Sequence, residues 1–368
     1  MSASDPRPAC LLTGTVSPYR REPFRLLNEA EHVEVIAHRH AGPPIPGLTV
    51  HRTSEAGAVR LAASGRYRAV IAGLDGRIAL PGAYAAARAR RVPFVLWATI
   101  WAHPRTPAHA LSFPATRHLY RAADAVATYG PHVSRYVERH RGTAEGVVVA
   151  PQAVDVDHFA TPVPETDRAA ARDRAGGPGT ELLVLYAGRL VREKGIETLT
   201  AAWRRADLGP GARLALAGSG PLEQAVRRDA LDARLLGHVG PGDLPALYAA
   251  ADVLVLPSIH TASFREPWGL VVNEAMLQRT PVIASDAVGA AAGGLVRDGR
   301  NGFVVPAGDA VALATRLRAL AGDAGLRDRL GAAARDNAAA YTPSAWAAGM
   351  GRALAAAGAG RGGGGPGC

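Results

Sequence analysis

The sequence predicts an α/β protein built from two parallel sheets, each covered by its own helices. Three observations carry this expectation. The 368 residues are enough for about two domains. Short apolar runs alternate with helix-like segments through the first 150 residues, stop, and resume near residue 181. Hydrophobic residues make up 48% of the chain and charged residues 20%, which excludes pervasive disorder and collagen-like structure.

The predicted strands of the first half are Cys10–Thr13, Val33–Ala37, Ala69–Ala72, Phe94–Ala98, Ala125–Thr128 and Val147–Ala150. Between them, Pro23–Glu29, Ala83–Arg91 and Pro131–Arg139 carry Ala, Leu or Arg at helical spacing. The rhythm stops at Pro151. Residues 160–180 are rich in Pro, Gly, Thr, Asp and Arg and read as a linker plus a polar lead-in, helical or irregular. In the second half the strands are Leu182–Ala187, Arg213–Ala217, Arg234–Gly237, Val253–Pro257, Pro281–Ser285 and Gly302–Val305. Helices are expected at Lys194–Trp203, Gly220–Asp229, Leu244–Ala250, Val271–Gln278, Ala310–Ala321 and Leu326–Tyr341. The domains are therefore read as 1–160 and 181–343. A terminal helix follows at 344–357, and then a glycine-rich, disordered tail at 358–368. Ligands of such sheets bind at the carboxyl ends of the strands, and the cleft between two sheets is the default site.

Charge is uneven. Residues 1–150 hold 19 arginines against 10 acidic residues, whereas the remainder is nearly balanced. This favours an anionic partner for the first half, with a solvated basic surface as the alternative. Cys10 and Cys368 stand at opposite ends, so neither a disulfide framework nor a cysteine metal cluster is expected. No secretory signal and no apolar run of about 20 residues is visible. The expected location is cytoplasmic, with peripheral contact at the inner membrane face through the basic first domain as an extension.

The densest chemical signal is Phe264-Arg265-Glu266-Pro267-Trp268-Gly269-Leu270, which leads into Val271–Gln278. A helix start offers free amides and partial positive charge, which suits a phosphate. Glu266 precedes those amides, and Glu274 follows them by about a turn. Carboxylates accept hydrogen bonds from hydroxyls, so Glu266 on a sugar and Glu274 on a ribose would match a nucleotide sugar. A second signal is the strand end at Gly188, followed by Arg189 and Lys194. Two fixed cations stabilise a leaving diphosphate. Lys194 is the only lysine in the chain, in a composition that otherwise uses arginine. Weaker signals are Gly218-Ser219-Gly220, a turn that lets backbone approach a ligand, and His238-Val239-Gly240, whose backbone suits a nucleobase.

Together Ala187–Gly195, Gly218–Gly220, Ala251–Ser258, Glu266–Ala275, Pro281–Gly289 and Asn301–Pro306 resemble the retaining glycosyltransferases of family 4, the glycosyl transferases group 1. Val154–Phe159 is similar to the segment that closes that family's N-terminal domain. The resemblance implies the GT-B fold: two facing Rossmann-like, doubly wound parallel-sheet domains with an interdomain cleft. It implies transfer of a hexose from a nucleotide-diphosphate sugar to an acceptor hydroxyl with retained configuration, in polysaccharide, glycolipid or other glycoconjugate biosynthesis. Glu266, Arg189, Lys194 and His103 would be catalytic; His103 follows the strand Phe94–Ala98, with His109 second in line. Gly188, Gly218, Gly220, Val239, Trp268, Gly269, Leu270 and Glu274 would bind the donor. The family's glycine pair after the first strand is absent here. Gly14 takes part of its place, and Tyr19, Arg20 and Arg21 would contact acceptor or phosphate. No metal or other cofactor is expected, and Asp155-Val156-Asp157 is read as structural. The acceptor would be a sugar, a lipid-linked saccharide or a small molecule. Other readings are a sugar-nucleotide epimerase or phosphorylase, a dehydrogenase (which lacks its three-glycine fingerprint here), and a non-catalytic nucleotide or membrane binder. Nucleic acid is not an expected partner, because aromatic content is 5% and no nucleic-acid motif is present.

Overall fold

In the computed structural model, which describes residues 5–230 and 232–360, the strands form two separate sheets, both entirely parallel. The first contains β1 (Ala9–Thr15), β2 (Val33–His40), β3 (Val50–Arg52), β4 (Ala69–Gly73), β5 (Phe94–Ala98), β6 (Ala125–Thr128) and β7 (Val147–Val149). Its order is β3-β2-β1-β4-β5-β6-β7. The second contains β8 (Leu182–Ala187), β9 (Ala212–Ala217), β10 (Arg234–Gly237), β11 (Val253–Leu256), β12 (Val282–Ser285) and β13 (Gly302–Val305). Its order is β10-β9-β8-β11-β12-β13. The central strands are continuous apolar runs because helices cover both faces: Leu182–Ala187 and Val253–Leu256 are buried throughout.

Strand order reverses between β1 and β4 in one sheet and between β8 and β11 in the other. The crevice at the carboxyl end of such a pair is where doubly wound sheets bind ligands. In the second sheet those ends carry Gly188 and Ser258. In the first they carry Gly14, where the β1–β2 register shifts between Thr13 and Thr15.

The chain divides into two compact units: residues up to Ala153 with those from Thr342 on, and Val154–Tyr341. The stretch read as a linker, 161–180, holds the helix Glu165–Gly176. Its Arg172 donates to the Asp252 carboxylate at 2.8 Å and to the Ala250 carbonyl at 2.6 Å. These bonds draw the segment into the second unit, so the boundary falls at Ala153 and not near 160. The sequence reading also missed β3, a three-residue edge strand, and the helices Glu55–Ala62 and Pro107–Ala122. The Ser54 and Thr106 side chains cap those helices, and Pro114 interrupts the second. Of the predicted glycine-rich tail, residues 361–368 lie outside the described residues.

The terminal helix, Pro343–Ala356, belongs to the first unit. Trp346 is fully buried, with its ring 5.5 Å from Phe24 and 5.4 Å from Trp97. Gly349 packs against Val149 and Ala150, where a side chain would collide with backbone. Arg20 lies over the Trp97 ring at 4.2 Å and hydrogen-bonds the Tyr129 hydroxyl. Replacing Trp346 by Ala empties the centre of this aromatic cluster, and such truncations cost about 3–5 kcal/mol. Equilibrium denaturation of Trp346→Ala is expected to show a markedly lower midpoint for the first unit. An unchanged midpoint would contradict this packing.

Candidate functional site

The second sheet's switch point gathers most of the predicted chemistry. After β8 the chain turns at Gly188, passes Arg189 and forms a single 3-10 turn, Arg192–Lys194. The loop after β11 is tied to that turn by the Ile259 amide, which donates to the Glu193 carbonyl at 2.9 Å. This tie places Lys194 beside Glu266. The two form an ion pair with side-chain exposures of only 15% and 8%. Ser258 is fully buried and donates to the same Glu266 carboxylate at 3.2 Å. The Lys194 ammonium also lies 5.8 Å from the centre of the Phe264 ring. Glu266 is held through its backbone as well, its carbonyl accepting from the Gly289 amide at 3.1 Å.

Gly269 ends this loop at φ +93°, a conformation that side chains rarely adopt, and the helix Leu270–Leu277 begins at the next residue. Its first-turn amides have no acceptor within the helix. The turn after β9 closes the other side. The Gly218 amide donates to Gly237 at 2.7 Å, and its Cα lies so close to the Gly188 carbonyl that a Cβ would collide with it. Gly220 follows, its amide donating to Glu223 at 3.1 Å. Val239 and His238 line a cavity of about 390 Å³ with Arg174, Arg234 and Asp243.

The predicted residues do not all play the expected parts. Lys194, assigned to the diphosphate, and Glu266, assigned to the sugar, hold each other. Arg189 is two-thirds exposed and lies 3.5 Å from Glu193. Trp268, expected to touch the donor, is a core residue. Its indole N–H donates to Asn273 at 2.7 Å and its ring packs on Tyr341. Glu274 accepts from the Tyr248 hydroxyl at 2.7 Å. Burial raises its carboxyl above the usual glutamate range, with Tyr248 and His158 opposing the rise. Ser258, Tyr248 and Asn273 were missed. Ser258 lies just past β11 at the switch point, a signal available in the sequence; Tyr248 has none, because its role depends on which helices meet, and Asn273 is met by the indole five residues before it.

In the first unit, Gly14 packs under an ion pair between Arg39 and Asp75. Tyr19 is exposed, as is Pro18 before it. Arg20 is enclosed among aromatic rings, which corrects its expected place on a ligand. Arg21 donates to the carbonyls of Pro43 and Pro44 at 2.7 and 2.8 Å, so its head group too is engaged within the unit. The His103 Nε2 donates to the His109 carbonyl at 2.7 Å and its ring packs 4.5 Å from Phe113. Its Nδ1 is buried without a hydrogen-bond partner. His109 itself pairs with the Thr106 hydroxyl at 2.7 Å.

A raised carboxyl pKa means that the folded chain takes up a proton at Glu274 before the unfolded chain does. Stability contributed by this group therefore rises as pH falls from 7. Relative to Glu274→Gln, the wild type is expected to gain in Tm on acidification. Parallel Tm-against-pH curves for the two would refute the shift.

Residues 167–337 match the family model "Glycosyl transferases group 1". D-inositol 3-phosphate glycosyltransferase from Xylanimonas cellulosilytica is 37% identical over 229 residues, 58% of this chain and 49% of that protein. Alpha-D-kanosaminyltransferase from Streptomyces kanamyceticus is 30% identical over 239 residues, 62% of this chain and 60% of that protein. The chain thus spans about half the length of the curated relatives it matches. The crystal structure of Anabaena HepE in complex with UDP and glucose superposes with a TM-score of 0.76 at 20% identity, covering 95% of this chain and 99% of that one. Among the described residues, no helix is long and apolar enough to cross a membrane. The two parallel-sheet units have the GT-B fold, and residues 167–337, which lie in the second unit, are similar to the glycosyl transferases group 1.

Proposed function

We propose that the protein is a retaining hexosyltransferase that moves a sugar from a nucleoside diphosphate to an acceptor hydroxyl in glycoconjugate biosynthesis. The observation that carries this reading is the Lys194–Glu266–Ser258 cluster, set at a sheet's switch point beside the start of the helix Leu270–Leu277. The donor's diphosphate lies against the Leu270 and Gly269 amides and draws Lys194 away from Glu266. Arg189 swings in from solvent to fork onto phosphate oxygens. Charge develops on the departing phosphate as its bond to the anomeric carbon breaks, and these cations and amides stabilise it. Glu266 is then free to accept from sugar hydroxyls and to stabilise positive charge near that carbon. The acceptor attacks from the face the phosphate leaves, and its proton passes to the phosphate, so configuration is retained without a covalent enzyme intermediate. The cations do the work that a metal would otherwise do, and no metal or other cofactor takes part.

The donor's ribose is assigned to Glu274, and the base to the backbone around Val239. UDP-sugars are the first donors to try, since the HepE structure contains UDP. The acceptor is assigned to the first unit, with Gly14, Tyr19 and His103 as the residues to probe. The glycosyl acceptor is a sugar, a lipid-linked saccharide or a small molecule.

Lys194→Ala and Glu266→Gln are each expected to lower turnover about tenfold or more while circular dichroism stays that of the wild type. Full turnover in a folded variant removes that residue from the mechanism. The arginine excess of the first unit supports a second reading, cytoplasmic residence with peripheral attraction to anionic membrane. Salt-sensitive sedimentation with anionic liposomes is expected, and no sedimentation at low salt would discard it.

A further inference from the structure

Among the described residues, Tyr248 is the one fully buried phenol that donates to a carboxylate of the proposed donor site. It sits on the helix Leu244–Ala250, and its hydroxyl reaches Glu274 Oε2 at 2.7 Å. Its own backbone is anchored: the Thr280 hydroxyl donates to the Tyr248 carbonyl at 2.7 Å, and the Phe159 ring lies 6.3 Å away. The phenol is therefore held by the core.

Glu274 stands one turn after Leu270. Helical side chains lean toward the helix N-terminus, so its carboxylate is carried back toward the amides that receive a phosphate. A carboxylate has two oxygens and about four acceptor sites. Tyr248 occupies one oxygen and fixes its direction. Among the described residues, Oε1 accepts no hydrogen bond. His158 faces the same group from the helix Val156–Ala160 and favours its charged form, while its Nε2 donates to the Pro241 carbonyl at 3.0 Å. A partly buried carboxylate with one oxygen pinned and the other unmet is suited to the paired hydroxyls of a ribose.

We infer that Tyr248 is a positioning residue: it orients Glu274 so that the second carboxylate oxygen recognises the vicinal hydroxyls of a ribonucleoside diphosphate. This rests on the donor site proposed above. Tyr248 touches no substrate and acts only through Glu274, so it sets affinity for the ribose and not the chemistry at the anomeric carbon.

Calorimetric titration of the full chain tests this with UDP, GDP, ADP and CDP, and then with the 2′,3′-dideoxy counterpart of whichever binds. Tyr248→Phe removes a single oxygen and keeps the ring. It is expected to weaken the ribonucleotide about five- to tenfold and leave the dideoxynucleotide unchanged. Glu274→Gln is expected to bring ribonucleotide affinity down to the dideoxy level, and adding Tyr248→Phe to it should change nothing further. Equal weakening of both nucleotides, or an additive second loss, overturns the positioning role. Should Tyr248→Phe not fold, equal affinity of the wild type for the two nucleotides, or an unchanged preference in Glu274→Gln, overturns it instead. Failure of all four ribonucleotides to bind the wild type overturns the donor site itself, and the inference with it.

Discussion

A half-buried ammonium and a buried carboxylate hold each other at the carboxyl end of the second sheet. Lys194 and Glu266 come from segments 72 residues apart, and each would be costly to enclose alone. The surrounding architecture meets that requirement. Parallel strands bring the two loops to one edge, the Ile259–Glu193 backbone bond sets their spacing, and Ser258 supplies a further donor to the carboxylate. The pair is thereby a structural contact and, in the proposed mechanism, the charge arrangement that the donor's diphosphate exchanges into.

The glycines around it serve the same end by different means. Gly218 lets two strand-end turns approach until backbone meets backbone. Gly269 reverses the chain so that a helix starts beside the ion pair. The result concentrates two kinds of positive charge, a side-chain ammonium and helix amides, within one loop cluster. The basic excess of the first half acts at a different scale, as a diffuse field and not a site. There two arginines are spent on the interior: Arg20 over the Trp97 ring, and Arg68 on the buried Glu31 carboxylate at 3.0 Å.

The sheets were legible in the sequence because buried parallel strands are unbroken apolar runs, and these stand out between arginine- and alanine-rich helices. What escaped was short or broken: β3 with three residues, and the Pro107–Ala122 helix with a proline inside it. At the site, Gly188, Lys194, Glu266 and Gly269 could be read from strand ends and from a loop leading into a helix. Their pairing could not, since spacing along the chain does not say that Lys194 meets Glu266. Trp268 and Arg20 mark the same limit. An indole beside a glycine and an arginine after a strand both suit a ligand, and only packing reveals that one caps a helix residue and the other lies under aromatic rings.

The terminal helix has a consequence for synthesis. The second unit is one uninterrupted stretch of chain, whereas the first is completed by residues that emerge after it. Until Trp346 leaves the ribosome, Phe24 and Trp97 face an unfilled groove. The inserted unit can therefore mature while its host still awaits its final piece. That reverses the usual order in which the N-terminal domain finishes first.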